Sequence, residues 1–223
     1  MVRSSLLFGA VALPYEMLTR HPVWERQCAR MARELPPGAR LILDVGCGPG
    51  NSTRQLPAGA IGGDFALSML RRARKRAPEM PLLCLDAGSL PVRSSSLDAV
   101  TLHSVLYLLP DQGAALREVV RVLRGGGRAV LLEPQAGRRA TVLGLARALP
   151  SLRWALTAAC WRVMSGLYGR PTPDSLWAAL ESAISELAAT HELSVNTAPE
   201  YVIEYLCREL LAKKLVVPAA NAG

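Results

Sequence analysis

Three acids and three glycines fall where strand ends could gather them. Asp44 lies just ahead of Gly46, Gly48 and Gly50 in LILDVGCGPGN (41–51); Asp64 follows it by 20 residues, and Asp86 closes MPLLCLD (80–86). A glycine turn after a buried strand admits a ligand to the backbone, and a helix start beyond it offers free N–H groups. A carboxylate at position 44 repels pyrophosphate and attracts an ammonium or sulfonium. An acid about 20 residues on, ending the next strand, suits ribose hydroxyls. The dinucleotide fingerprint needs a third glycine at 51, where Asn51 stands, and no Gly-Lys-Ser/Thr follows for a phosphate loop. One such Asp reads as a turn or cap residue; three strands in succession ending in Asp make a constellation.

The surrounding pattern supplies the elements that must position these groups. Apolar runs at 40–46, 60–64, 80–86, 97–103 and 128–134 read as strands. Between them, 51–57 with Asn51, Ser52 and Thr53 as caps, 69–77 capped by Ser68, and a segment from Asp111 to Leu123 read as helices, the last closed by Gly125–Gly127. Continuous apolar strands alternating with helices predict an α/β fold with a parallel sheet covered on both faces. Thr172 and Pro173 open a further helix to about 189, 191–197 and 200–207 are the last strand candidates, and the tail VVPAANAG is expected to fray.

Composition narrows the class. The chain has 223 residues, half of them hydrophobic, enough for one domain. No uncharged run of 18 apolar residues is present, and the start MVRSSLLFGAVALP is read as a packed helix rather than a leader. Five scattered cysteines without a CxxC, and three histidines, argue against zinc and fit a reducing cytoplasm. The net charge is +8, with Lys only at 75, 213 and 214. RRARKR (71–76) has no interleaved aromatics and reads as a solvated face rather than a nucleic-acid contact.

With these residues in order, the chain resembles a class I S-adenosylmethionine-dependent methyltransferase of the ubiquinone/menaquinone-methyltransferase group. The likeness rests on LDVGCGPG (43–50), GGDFALSML (62–70), LCLDAGSLPVRSSSLDAV (83–100), HSVLYLLPD (103–111) and LREVVRVLRGGGRAVLLEP (116–134). It implies a Rossmann-like, doubly wound, mostly parallel seven-stranded sheet, its last strand antiparallel, with a helical cap and a Gly62–Gly63 turn before Asp64. One domain is expected over 1–223: an N-terminal helical segment (1–39) over the cofactor, a cofactor core (40–134), a cap insert (135–170), and a last helix with terminal strands (171–223). S-adenosylmethionine is the implied cofactor and no metal is implied. Asp44 and the backbone of Gly46, Cys47 and Gly48, in the turn completed by Gly50, would meet its methionine part. Asp64 would take the ribose, Phe65 and Met69 the adenine face, and Asp86 and Ala87 the adenine edge. The His103 backbone would lie near the methyl group. A glycine usual in the family before the sixth strand is missing from SAISELAATHELSV.

Methyl transfer is an in-line displacement in which positioning dominates, and a base is needed for a weakly acidic acceptor. His103 is the candidate base, with a backbone-only role as the alternative. Tyr15 and His21 are candidates for the acceptor pocket, and Glu133 for its edge. Cys47 reads as a space-filler. The insert combines Trp154, Trp161, Met164 and Leu167 with Arg138, Arg139, Arg147, Arg153 and Arg162, which suits an apolar acceptor and peripheral contact with a membrane. The expected function is methyl transfer to a small hydrophobic acceptor: a quinol, phenol, lipid or secondary metabolite. RNA or protein methylation, or cofactor binding without catalysis, are the alternatives.

Overall fold

The computed structural model describes residues 16, 19, 20, 22–135, 182, 185, 194–197, 203–205 and 208–216. Its elements are α1 (Pro22–Ala32), β1 (Ile42–Val45), a 3-10 turn (Thr53–Gln55), β2 (Ile61–Asp64), α2 (Leu67–Arg76) and β3 (Leu82–Cys84). There follow β4 (Leu97–His103), a second 3-10 turn (Leu106–Leu108), α3 (Gln112–Val122), β5 (Leu123–Gln135), β6 (Ser194–Thr197), β7 (Ile203–Tyr205) and β8 (Arg208–Val216).

The sheet runs β3-β2-β1-β4-β5-β8-β6, with β7 beside β8. β1 to β5 are mutually parallel, while β8 is antiparallel to β5, β6 and β7. The described sheet therefore has eight strands where seven were expected. The missed element is β8, whose Arg208–Val216 pairs along β5 from Gln135↔Glu209 to Arg128↔Val216. Of the expected 200–207 strand, Ile203–Tyr205 is described, as a partner of β8, and the rest lies outside the described residues.

Strand alternation sorts the core into two layers. Leu43 and Val45 of β1, Val100 and Leu102 of β4, and Ala129 and Leu131 of β5 pack with Leu116, Val119 and Val122 of α3. Ile42, Ala99, Val130 and Leu132 face the other way, against Trp24, Cys28 and Met31 of α1. Each fully buried Leu or Val contributes about 1.5–3 kcal/mol, so helices hold the parallel strands from both faces. α3 starts as its sequence indicates: Asp111 accepts a hydrogen bond from the Ala114 N–H at 2.8 Å.

Three local expectations fail. Ser68 does not cap α2; the N-cap is Ala66, without a side-chain bond, and the Ser68 hydroxyl is buried with no hydrogen-bond partner among the described residues. The helix expected at 51–57 is only the 3-10 turn, because the Ser52 and Thr53 hydroxyls bond elsewhere. Gly62 and Gly63 lie within β2 rather than in a turn, where a Cβ on Gly62 would come within 3.1 Å of the Cys47 sulfur.

Asp98 ties the start of β1 to β4. Its Oδ2 accepts the N–H groups of Arg40 (2.6 Å) and Leu41 (3.0 Å), and Arg124 Nε lies 2.9 Å from Oδ1. The two backbone donors, and then the arginines, hold its carboxyl below the ordinary Asp range against the opposing effect of burial. A depressed pKa stabilises the fold above the unfolded value and ceases to do so as pH falls through the folded one. Asp98→Ala is expected to cost about 1–3 kcal/mol in urea unfolding at pH 7, with the difference from wild type shrinking below about pH 4. A difference that persists undiminished at pH 2 would mean that the charge contributes nothing.

Candidate active site

The strand order places the site. β1, β2 and β3 step one way across the sheet, and the chain then returns to add β4 on the other side of β1. In open α/β sheets the crevice beyond the carboxyl ends at such a reversal is where ligands bind. The glycine turn leaves β1 there, and His103 ends β4 beside it, since Val45 pairs with Leu102.

Asp44 is wholly buried, at 0% exposure. Its Oδ2 accepts hydrogen bonds from Ser52 Oγ and Thr53 Oγ1, each at 2.6 Å. Its Oδ1 accepts one from Thr101 Oγ1 at 2.8 Å and lies 3.3 Å from His103 Nδ1. Burial alone would raise its pKa; the bond and charge of His103, then the Ser52 and Thr53 hydroxyls, more than offset this and hold it below the ordinary value. Asp44 is therefore a fixed internal charge, with its oxygens already turned to protein donors. Ser52, Thr53 and Thr101 are partners of Asp44 that sequence reasoning missed. The usable signal was Thr101, two residues before His103 on the same strand face.

The glycines serve backbone geometry. Gly46 has φ +73°, and a Cβ there would run into the Val105 side chain. Gly50 has φ +81°, with Ala73 and Met80 in the space its Cβ would take. The room left by both missing side chains is filled by protein, and the turn so formed directs successive N–H groups toward β2. The N–H groups of Gly46 and Cys47 bond Gly63 O at 2.8 and 2.9 Å, and that of Gly48 bonds Asp64 Oδ2 at 2.8 Å. Cys47 is buried, and burial, with the Asp64 and Asp44 charges, pushes its thiol pKa up, which suits a neutral space-filler.

Asp64 ends β2 with its other oxygen, Oδ1, accepting the Ala66 N–H at 2.7 Å. Burial raises its pKa and the two backbone bonds counter only part of this. Each oxygen keeps a further lone pair. Phe65 follows, a large apolar ring left 42% exposed, while Met69 is buried in α2. Cys84, the register partner of Asp64, is exposed, and Asp86 lies two residues further on. Asp86 is exposed, its Oδ1 accepts the Gly88 N–H at 2.9 Å, and Ala87 is buried. A partly desolvated carboxylate with spare lone pairs, an open aromatic ring and a second acid along one edge fit a ligand bearing a vicinal diol and a flat heterocycle, as S-adenosylmethionine does.

The residues ahead of α1 reach this side of the molecule. Asn51 Nδ2 donates to Thr19 Oγ1 at 2.6 Å, and Glu16 takes Arg72 at 2.7 Å and Arg76 at 3.2 Å. Two arginines of the RRARKR run are thus ion-paired rather than simply solvated; Arg71, Arg74 and Lys75 are exposed. Tyr15, His21, the 136–170 part of the insert and the side chain of Glu133 lie outside the described residues. Among the described residues, no helix is long and apolar enough to cross a membrane.

Comparison with known proteins agrees with this geometry. Residues 43–131 match a family described as a methyltransferase domain. Demethylmenaquinone methyltransferase of Streptomyces avermitilis is 36% identical over 138 residues, covering 57% of this chain and 58% of that protein. That of Corynebacterium urealyticum is 34% identical over 160 residues, covering 66% of this chain and 68% of that protein. The chain thus spans less than two thirds of the length of the first of these relatives. Among solved structures, the plantazolicin methyltransferase, determined with a desmethyl substrate analogue and SAH, aligns over 96% of each chain with a TM-score of 0.66 at 12% identity, a likeness of fold. Of the three strands expected to end in Asp, β2 alone does so, β1 ending at Val45 and β3 at Cys84; with two thirds of the Corynebacterium relative covered, the chain belongs to the class I S-adenosylmethionine-dependent methyltransferases.

Proposed function

We propose that this chain transfers a methyl group from S-adenosylmethionine to a small, hydrophobic, quinone-type acceptor in its reduced, quinol form. The observation that carries the cofactor half is the pair Asp64 and Gly48 at the β2 end, where a carboxylate is held by backbone donors with lone pairs to spare. The acceptor half draws on the demethylmenaquinone methyltransferases that the chain resembles. Bound there, the cofactor supplies an electrophilic methyl group on a sulfonium.

The chain's own residues divide the rest of the work. Asp64 binds the ribose, Phe65 covers the adenine, and Asp86 and the Ala87 N–H meet its edge. The turn at Gly46–Gly48 presents backbone to the methionine part, with the Asp44 charge beneath it favouring the cationic end.

Calorimetric titration with S-adenosylmethionine and S-adenosylhomocysteine, followed by a methylation assay on demethylmenaquinol, tests both halves. Binding on the order of micromolar, about 8 kcal/mol, and a product heavier by one methylene are expected. Folded protein that binds neither cofactor form would overturn the reading. Binding without methylation of any quinol would overturn the acceptor.

A further inference from the structure

We infer that Asp44 and His103 form a proton-accepting pair, with His103 Nε2 taking the acceptor's proton and Asp44 and Thr101 as its positioning residues. The inference rests on the reading of the site as a methyltransferase centre and deepens it.

The tautomer follows from the donors around Asp44. Its three other described side-chain partners, Ser52, Thr53 and Thr101, are hydroxyls that donate to it, the surroundings of an ionised carboxylate. An ionised carboxylate only accepts. The contact at 3.3 Å therefore places a proton on His103 Nδ1, and the base role assigns the lone pair to Nε2. Thr101, held by the same Oδ1, fixes which way that oxygen faces.

Nε2 is the second observation. His103 is 2% exposed, yet Nε2 has no hydrogen-bond partner among the described residues. The Trp24 ring stands edge-on to the imidazole, with centroids 6.4 Å apart and planes at 73°, and offers an apolar wall. A buried lone pair without a donor is an unmet cost within the protein alone. It is met when a ligand brings an O–H. The place is the sheet reversal, at the carboxyl end of β4 beside the glycine turn.

The chemistry requires such a group. A phenolic hydroxyl has a pKa near 10, so only about one in 10³ is ionised at neutral pH. In the proposed step the acceptor's O–H bond breaks and an Nε2–H bond forms. The electron pair released is delocalised into the ring, a ring carbon makes the new bond to the methyl carbon, and the methyl–sulfur pair stays with sulfur as a thioether; the ring regains aromaticity as the proton on that carbon moves to the oxygen. The imidazolium, stabilised by Asp44, later returns its proton to water. The cation consumed balances the proton released, and nothing is oxidised or reduced.

His103→Asn separates the roles, because its amide N–H can still reach Asp44 while nothing replaces Nε2. With three histidines in the chain, nitrogen NMR of labelled wild type resolves the ring, and the variant assigns it. Expected are a protonated Nδ1, a pyridine-like Nε2, and a shift of Nε2 alone when naphthohydroquinone is added to protein loaded with S-adenosylhomocysteine. Expected for the variant are an S-adenosylmethionine Kd within about threefold of wild type and kcat on demethylmenaquinol lower by about 100-fold or more, with KM little changed. A proton on Nε2, no response of Nε2 to the naphthohydroquinone, or near-wild-type kcat in the variant would each overturn the pair. Should wild type bind cofactor but methylate no quinol, the acceptor assignment fails. The two NMR readouts, repeated with simple phenols, then still decide the pair, whether or not the variant folds.

Discussion

Asp44→Ala is expected to lose about 3–5 kcal/mol of stability, from a total that for such a domain is about 5–15 kcal/mol. The substitution removes one carboxylate and strands four buried groups: the Ser52, Thr53 and Thr101 hydroxyls and His103 Nδ1. Each buried donor left without an acceptor costs about 1–3 kcal/mol, and partial collapse of the site recovers some of the sum. Asp44→Asn keeps the shape but turns one acceptor into a donor facing hydroxyls, so an intermediate loss is expected. Urea unfolding followed by circular dichroism measures both. A carboxylate that simply faced the cofactor's cationic end would behave otherwise, with stability kept within about 0.5 kcal/mol in both variants and only cofactor affinity falling.

Asp64→Ala is expected to weaken S-adenosylmethionine binding at least 100-fold in calorimetry while leaving the protein folded. Two hydrogen bonds from ribose hydroxyls to a charged acceptor are each worth about 1.5–3 kcal/mol. The structural loss is smaller, since only the Gly48 and Ala66 N–H groups give up an acceptor, in bonds that are part-buried rather than fully enclosed. The raised pKa adds a check by pH. Burial already disfavours the Asp64 charge in the unloaded protein, so its own ionisation costs stability as pH rises through its titration. Binding that needs the ionised carboxylate then weakens as pH falls through that raised value, and the pH dependence should vanish in Asp64→Ala. Unchanged affinity in the variant would remove Asp64 from the ribose site.

Much of this was legible in the sequence because strand ends are written locally. Asp44, Asp64 and His103 each close an apolar run, and Asp111 precedes a helix with apolar residues on one face. The resemblance added which cofactor such a row of acids serves. The partners of Asp44 were not legible: Ser52 and Thr53 have the side chains of helix caps, and only the folded chain shows their hydroxyls turned to a carboxylate. Ser68 misled in the same way, with Ala66 at the cap position. β8 was missed for a different reason. Glu209, Leu210, Leu211, Ala212, Lys213 and Lys214 are all good helix formers, and the strand exists because β5 offers an edge more than 70 residues earlier in the chain.

The four bonds to Asp44 also bear on the order in which the molecule assembles. Ser52 and Thr53 are 8 and 9 residues away, whereas Thr101 and His103 are 57 and 59. β1 can pair with β2 after a short excursion, but β4 must then close a much longer loop to reach the other edge of β1. Until it does, Asp44 sits on an exposed strand edge with half its donors missing. On the ribosome, a chain that has not yet released residue 103 carries the glycine turn but not the completed charge network beneath it. The donor set of Asp44 is thus complete only once β4 has paired with β1, and it forms before β5 and β8 extend the sheet.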